Sequence, residues 1–67
     1  MRARTYRTDK GEVILHFASI SSIERQQNRL NKGINLFVRM QNGDRYFLNS
    51  PEAEQLSSDY REWAEAN

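Results

Sequence analysis

The sequence predicts an α+β fold, in which a small antiparallel sheet of three to four strands carries a C-terminal helix packed on one face. Two observations predict it. The stretch LFVRMQNGDRYFL, residues 36–48, places an Asn-Gly pair between two runs of apolar and aromatic residues, which is typical of a β-hairpin. The next stretch, SPEAEQLSSDYREWAEAN, residues 50–67, begins with helix start signals and has apolar residues at helical spacing.

Length and composition limit the chain to a single domain, residues 1–67, near the lower size at which one apolar core suffices. The absence of cysteine excludes disulfides and thiolate metal sites. No run approaches the roughly 18 consecutive apolar residues of a membrane span, and the first 20 residues carry charges where a secretory signal would be apolar. We therefore expect a cytoplasmic protein without membrane contact.

The Asn42-Gly43 pair predicts the register of the hairpin. It is typical of a two-residue type I′ turn, which would set Phe37 opposite Leu48. Because side chains alternate between the two faces of a strand, this register predicts which residues share a face. One predicted face holds Ile34, Leu36, Val38, Met40 and Phe47. The other predicted face holds Phe37, Arg39, Tyr46 and Leu48.

The segment after the hairpin predicts a helix with a defined start. Ser50 is the expected N-cap, Pro51 the first helical residue, and Glu52 and Glu54 occupy the first turn, where the helix dipole favours negative charge. A single apolar stripe follows at spacings of three and four residues. It consists of Ala53, Leu56, Tyr60 and Trp63. We expect this stripe to pack on the sheet face that carries Leu36.

The N-terminal part predicts at least one further strand. GEVILHF, residues 11–17, alternates apolar side chains in the manner of a strand that has apolar residues on both faces. The preceding residues 1–10 have two interpretations. They form an edge strand joined through the turn-like Asp9-Lys10-Gly11, or they form a loose basic arm, since three arginines occur within six residues.

Residues 20–33 also have two interpretations. As a helix they have a capping box, Ser21 with Glu24, and an apolar stripe of Ile20, Ile23 and Leu30. As a strand and loop, residues 20–26 extend the sheet and residues 27–33 connect it. An apolar strand, an Ile-Ser-Ser-Ile-Glu step, a polar gap, and an Asn-Gly hairpin followed by a helix form a layout that resembles flagellar FlbD-like proteins and bacterial pleckstrin-homology-like domains. This resemblance favours the strand and loop, and we carry no functional residue over from it.

The charge is divided unevenly along the chain. Residues 1–45 hold nine Arg or Lys residues against four acidic ones, a net charge of +5, whereas residues 46–67 hold one against five, a net charge of −4. A basic half often indicates an anionic partner, but an acidic element in the same small molecule weakens that indication. We expect the two halves to attract each other.

No residue pattern predicts catalysis or a cofactor. His16 is the single histidine and has no metal-ligating residues at suitable spacing, and the Ser21-Ser22 pair has no adjacent base. The three glycines stand singly at predicted turns, so they cannot build a phosphate-binding loop. The acidic residues of the predicted helix lie mostly on its water side, where they gain no catalytic pKa shift. The sequence predicts that the protein is not an enzyme and has no metal or cofactor.

One predicted surface remains uncovered. A single helix cannot cover both faces of the sheet, so the face with Phe37 and Leu48 needs another cover. A curled sheet, a helix at residues 20–33 or a partner chain would provide one. Leaving these two side chains in water forgoes about 1.5 to 3 kcal/mol each, which favours the partner chain. The predicted partner-binding residues are Phe37, Arg39, Arg45, Tyr46 and Leu48.

The favoured function is a small non-catalytic adaptor or regulator of bacterial or phage type that binds a protein partner through this hairpin face. Symmetric self-association, as in a homodimer, is its simplest form. The first alternative is a nucleic-acid-binding module, with stacking and phosphate contacts from Arg2, Arg4, Arg7, Arg39 and Tyr46. The second alternative is a small structural component of a larger assembly. The identity of the partner and the oligomeric number stay open.

Overall fold

The computed structural model describes residues 1–30 and 32–66, which form five strands, one short 3-10 helix and one α-helix. The elements in chain order are β1 (Ala3–Thr8), β2 (Gly11–His16), a 3-10 helix (Phe17–Ser19), β3 (Ile20–Gln27), β4 (Ile34–Met40), β5 (Arg45–Asn49) and α1 (Glu52–Ala66). The strands form two antiparallel sheets, β1-β2 and β3-β4-β5. The α+β class is therefore confirmed. Position 31, in the predicted connection of residues 27–33, lies outside the described residues. Position 67, at the end of the predicted helical segment of residues 50–67, also lies outside them.

The N-terminal residues form an edge strand, so the interpretation as a loose basic arm is wrong. β1 pairs with β2 from Ala3 opposite His16 to Thr8 opposite Gly11. Tyr6 is fully buried, which explains why this strand is held on the domain although its other residues are mostly polar. Burying this large aromatic side chain stabilises the paired strand. The neighbouring arginines lose little hydration, because their exposed sides stay in contact with water.

The strand-and-loop prediction for the middle segment is confirmed. β3 covers Ile20–Gln27 and pairs with β4, with a bulge between Ile20 and Ser22. The connection that follows is closed by a 2.8 Å hydrogen bond from the Asn28 N–H to the Gly33 carbonyl. Leu30, which would belong to the apolar stripe of a helix, is 97% exposed at this connection.

The β4–β5 turn is one residue longer than predicted. The Gly43 N–H donates to the Met40 carbonyl at 3.0 Å, and the Met40 N–H donates to the Asp44 carbonyl at 2.8 Å. Only Gly43 has a positive φ in this turn, +96°, whereas a type I′ turn needs a positive φ at both central residues. The Asn42 Oδ1 accepts the Asp44 N–H at 2.9 Å, so Asn42 closes the loop with its side chain. The result is a three-residue loop that ends in a glycine bulge.

This extra loop residue shifts the register of β5 and exchanges its faces. Leu36 pairs with Leu48 and Phe37 pairs with Phe47. Leu48 is 1% exposed, and Tyr46 packs against the core. The predictions that Leu48 and Tyr46 lie on the uncovered face and that Phe47 lies in the core are therefore wrong. The physical reason is the period of two in a strand, which moves every side chain to the opposite face after a shift of one residue.

The apolar core lies between the three-stranded sheet, the N-terminal hairpin and α1. We call the side of the three-stranded sheet that faces this core the inner face, and the opposite side the outer face. The core residues are Tyr6, Leu15, Phe17, Ile20, Ile34, Leu36, Val38, Met40, Leu48, Ala53 and Leu56. The N-terminal hairpin curls over the inner face and covers it together with α1. The outer face lies on the other side of the sheet, away from this core.

The predicted stripe of α1 is confirmed. Ala53 and Leu56 are fully buried, and the partly buried rings of Tyr60 and Trp63 lie 6.3 and 6.0 Å from the ring of Phe17. The helix begins one residue later than predicted, at Glu52.

Ser50 has a different role from the predicted N-cap. The Ile34 N–H donates to the Ser50 hydroxyl at 2.9 Å, and the Pro51 carbonyl accepts the first helical hydrogen bond from the Gln55 N–H at 3.1 Å. The Ser50 hydroxyl is thereby engaged by the backbone of β4, while the helix starts after Pro51.

A buried polar cluster fastens α1 to β1. Asp59 is 5% exposed and accepts hydrogen bonds from the Tyr6 hydroxyl at 2.6 Å, from Gln55 at 2.9 Å and from Arg4 at 3.2 Å. Three donors compensate the cost of burying a carboxylate. Burial, together with the hydrogen bond to the Asp59 carboxylate and its negative charge, raises the pKa of the Tyr6 hydroxyl well above its usual range.

Candidate functional site

The outer face of the three-stranded sheet is the best-defined candidate site. A shallow cavity of about 430 Å³ lies on it, lined by residues of β3, β4 and β5 and by Asp9 from the β1–β2 turn. No helix or strand of the described residues packs on this face, since the core elements all lie on the inner side.

Two phenylalanine rings form the apolar centre of the outer face. Phe37 on β4 and Phe47 on β5 are cross-strand partners, with ring centroids 5.0 Å apart and planes inclined at 57°. Their pairing is of the non-hydrogen-bonded kind, which brings opposite side chains closest, because the Phe47 N–H and carbonyl point away from β4. Phe37 is 39% exposed and Phe47 is half-buried.

Asp9 closes the open edge of β5 beside this aromatic pair. The Phe47 N–H donates to the Asp9 carboxylate at 2.8 Å, and the Asp9 N–H donates to the Phe47 carbonyl at 3.0 Å. A turn residue thus takes the place of a strand neighbour and satisfies both backbone groups. Since an unpaired edge invites further strand pairing, this contact protects the edge of β5 at Phe47.

Two arginines lie side by side next to the aromatic pair. Arg39 on β4 and Arg45 on β5 are directly opposite each other and are both exposed. Within residues 1–30 and 32–66, neither guanidinium forms an ion pair within 4.0 Å. Like charges directly opposite each other on a sheet are destabilising, so we expect this pair to lower the stability of the fold.

Carboxylates stand at both ends of the aromatic row. Glu24 on β3 pairs with Phe37, and Asp9 contacts the far side of Phe47, so the row across the sheet reads acid, phenylalanine, phenylalanine, acid. The next row toward the turn holds Ser22 on β3 beside the two arginines. Two positive and two negative side chains therefore surround the apolar centre.

The structure gathers three of the five predicted partner-binding residues. Phe37, Arg39 and Arg45 share the outer face. Leu48 lies in the core. Tyr46 packs against the core with the Lys10 ammonium 5.1 Å from its ring centroid, and it also borders the cavity.

Phe47 is the residue that the sequence interpretation missed. A signal for it was present, because a three-residue loop is the next most common hairpin connection, and the register that it sets places Phe47 opposite Phe37.

The arginines of the predicted nucleic-acid site are not brought together. Arg4 is paired with Asp59 at 3.2 Å, beside the helix, and Arg7 lies 3.8 Å from Glu12 on the N-terminal hairpin. Arg2 borders a groove that Asp59 also lines, so Arg2 and Arg4 both lie beside acidic residues of α1 and away from the outer face. Of the predicted set, only Arg39 lies on the outer face, and Tyr46 faces the core.

The described residues hold few other candidates for chemistry. His16 is exposed at the end of β2. Among residues 1–30 and 32–66, no three His, Asp or Glu side chains form a group able to hold a metal ion. In the same part of the chain, no helix has the length and apolar character needed to cross a membrane.

Comparisons of the chain with protein-family models, with curated proteins and with solved structures each found no match.

Proposed function

We propose that the protein is a small non-catalytic binding module that contacts a protein partner through the outer face of its three-stranded sheet. One observation carries the proposal. Phe37 and Phe47 stand side by side on neighbouring strands, on a face that no helix or strand of the described residues covers. The role we propose is that of an adaptor or regulator of bacterial or phage type, and a second copy of the chain is the simplest alternative partner.

The composition of the outer face supports this function. Interfaces between proteins have an aromatic or arginine-rich centre and a polar rim that keeps water out. Here two phenylalanines form the centre, while Arg39, Arg45 and Glu24 form part of the rim. Each Å² of apolar surface that a partner covers contributes about 25 cal/mol of favourable free energy. Even a small contact with these rings therefore favours binding.

Binding to a nucleic acid has weaker support. Base stacking on Phe37 and phosphate contacts from Arg39 and Arg45 would be possible on one side of the outer face. However, Glu24 and Asp9 flank the rings on both ends, and the N-terminal arginines lie elsewhere. An extended polyanion would meet these carboxylates along the sheet, which lowers its electrostatic attraction.

A comparison of three baits tests the proposal. The wild-type chain, a Phe37→Ser/Phe47→Ser double variant and an Ile14→Ser control are used to retain proteins from a lysate of the source cells. Ile14 is 61% exposed on β2 and borders a different groove, so its replacement removes apolar surface without touching the outer face. We expect the wild-type and control baits to retain the same partner and the double variant to lose it about 30-fold, as the loss of an aromatic anchor worth about 2 kcal/mol implies.

Two measurements accompany the capture. Circular dichroism checks that the double variant is folded, which we expect because both rings lie outside the core. Sedimentation of the purified chain detects self-association, and a dimer that the double variant abolishes would identify a second copy as the partner. Retention of the same partner by the folded double variant would overturn the proposal.

A further inference from the structure

We infer that the partner segment bound by the outer face carries a carboxylate two positions away from an apolar side chain, in an extended conformation. The carboxylate would lie on the Arg39–Arg45 pair and the apolar side chain on the Phe37–Phe47 pair. The inference rests on the proposed function, since it names the chemistry of the partner at the same site.

The arginine pair provides the first step. Two guanidinium groups opposite each other at a non-hydrogen-bonded position repel one another, and neither has an ion pair within residues 1–30 and 32–66. A carboxylate placed between them would neutralise this repulsion and accept hydrogen bonds from a planar fork that matches its geometry.

The strand spacing provides the second step. Arg39 follows Phe37 by two residues on β4, and Arg45 precedes Phe47 by two residues on β5, so the charged pair and the aromatic pair are about 6.8 Å apart along the strands. Side chains two positions apart in an extended peptide have the same separation and the same direction. An acidic residue and an apolar residue separated by one position therefore match both pairs at once.

The ends of the aromatic row provide the third step. Glu24 and Asp9 leave no place for negative charge along the row of the rings, so only the row of the arginines accepts an anion. The site thus fits a single carboxylate beside an apolar group and not a chain of phosphates. A Lys or Arg in the segment would be accommodated toward Glu24.

The edge of β5 limits how the segment can bind. Asp9 already satisfies the outward N–H and carbonyl of Phe47, so a peptide cannot add to this edge at the aromatic position. At this position recognition comes from side chains on the outer face, above the cavity of about 430 Å³. This distinguishes the site from strand addition, in which backbone hydrogen bonds dominate.

Selection from a library of random linear peptides tests the inference with four baits. The baits are the wild-type chain, Arg39→Gln/Arg45→Gln, Phe37→Ser/Phe47→Ser and an Arg61→Gln control on the exposed side of α1. The readout is the fraction of selected sequences with Asp or Glu two positions from an apolar residue, relative to the unselected library. A synthetic consensus peptide and its Glu→Gln or Asp→Asn counterpart are then titrated against each bait.

We expect the wild type and the Arg61→Gln control to enrich the acidic motif. Arg39→Gln/Arg45→Gln should enrich apolar sequences without the acidic residue. Phe37→Ser/Phe47→Ser should enrich no sequence. The charge-neutral counterpart peptide should bind the wild type about tenfold more weakly, as expected for a lost charge-assisted contact. Selection of apolar sequences without an acidic preference by the wild type would overturn the inference and leave the proposed function intact. No enrichment by any bait would overturn the inference, whereas the proposed function is decided by the capture experiment.

Two further measurements exclude the other occupants. Fluorescence anisotropy with a labelled oligothymidine should show no binding at physiological salt. Salt-dependent binding that is lost in Arg39→Gln/Arg45→Gln would overturn the inference and identify a single-stranded nucleic acid as the ligand. Sedimentation of the wild type in the presence of the consensus peptide should show no dimer. If the chain forms a dimer that needs Phe37 and Phe47 and that the peptide does not dissociate, the inference is overturned and the ligand is a second copy of the chain.

Discussion

The Tyr6 hydroxyl donates a 2.6 Å hydrogen bond to the carboxylate of Asp59, which joins the first strand to the C-terminal helix across 53 positions of sequence. Both residues are buried, so this bond is shielded from water. Apolar packing brings the helix onto the sheet, while the bond specifies its position along β1. In a chain of 67 residues, with limited apolar core, a single interaction of this kind contributes a noticeable part of the stability.

We predict that Tyr6→Phe lowers the free energy of unfolding by about 1.5 to 3 kcal/mol, the range for hydrogen bonds to charged groups. The ring still fills its site, so the loss reports the hydroxyl contact. Urea denaturation followed by Trp63 fluorescence measures it. Arg4→Ala is the control, because Arg4 is nearly half exposed and its ion pair with Asp59 should contribute about 1 kcal/mol or less. Equal losses in the two variants would contradict this assignment.

The raised pKa of Tyr6 predicts a pH dependence at alkaline pH. In the unfolded chain the tyrosine ionises near its usual pKa of about 10, whereas in the folded chain it stays protonated to higher pH. The stabilising contribution is therefore complete below pH 10 and is lost as the pH rises above 10. The stability difference between wild type and Tyr6→Phe should shrink by up to about 1.4 kcal/mol per pH unit in that region. A constant difference between pH 9 and pH 11 would refute the prediction.

The register of the β4–β5 hairpin predicts opposite tolerance at two neighbouring positions. Leu48→Ala should cost about 2 to 5 kcal/mol because Leu48 is fully buried. Phe47→Ala should cost about 1 kcal/mol, mostly the cross-strand contact with Phe37. Thermal unfolding of the two variants measures the difference. The two-residue turn would give the reverse order, with Phe47 in the core.

The loop geometry predicts unequal effects at the Asn-Gly pair. Gly43→Ala should lower the free energy of unfolding by about 1 to 2 kcal/mol, because φ is +96° there and an alanine at this φ is strained. A Cβ on Gly43 would meet no atom within 4 Å, so the cost is that of the backbone alone. Asn42→Ala should cost only its side-chain hydrogen bonds to Asp44, about 1 kcal/mol. Chemical denaturation of both variants gives the comparison, and strain at both positions would indicate a type I′ turn instead.

The arginine pair predicts a variant that gains stability. Arg45→Glu should raise the free energy of unfolding by about 0.2 to 1 kcal/mol, because it replaces a like-charged cross-strand pair with an opposite-charged one beside Arg39. The gain should decrease in 1 M salt, where the screening length falls to about 3 Å. Arg29→Glu in the β3–β4 connection is the matched control and should have little effect. A loss of stability in Arg45→Glu would show that Arg45 contributes to the fold.

Part of the outer face could be predicted from the sequence and part could not. Phe37 and Arg39 belong to β4, whose alternation is plain in the sequence, so their shared face follows from the strand itself. Whether Phe47 or Leu48 joins them depends on the length of one loop. The Asn-Gly pair is compatible with both loop lengths, and the difference between them is set by the position of Asp44 relative to Met40, which no local pattern reveals.

The N-terminal hairpin shows the same limit. Alternating apolar residues predict β2, but the role of β1 depends on Tyr6 reaching Asp59 and on Asp9 reaching the backbone of Phe47. These contacts join residues far apart in the chain, so the pattern around each residue carries no sign of them. The loose arm and the edge strand were therefore equally compatible with the local sequence.

The amino-acid sequence by itself determined the α+β class, the helix with its buried stripe and the apolar face of β4, because each follows from local periodicity and turn chemistry. For residues 20–33 it left a helix and a strand with a loop open, and the structure decided for the strand. Only the tertiary structure decided which face of β5 looks outward, how β1 is held and where the charges of the outer face stand. These features depend on long-range hydrogen bonds and on a loop one residue longer than the shortest possible, and a shift of one residue in a strand reverses every side chain that follows.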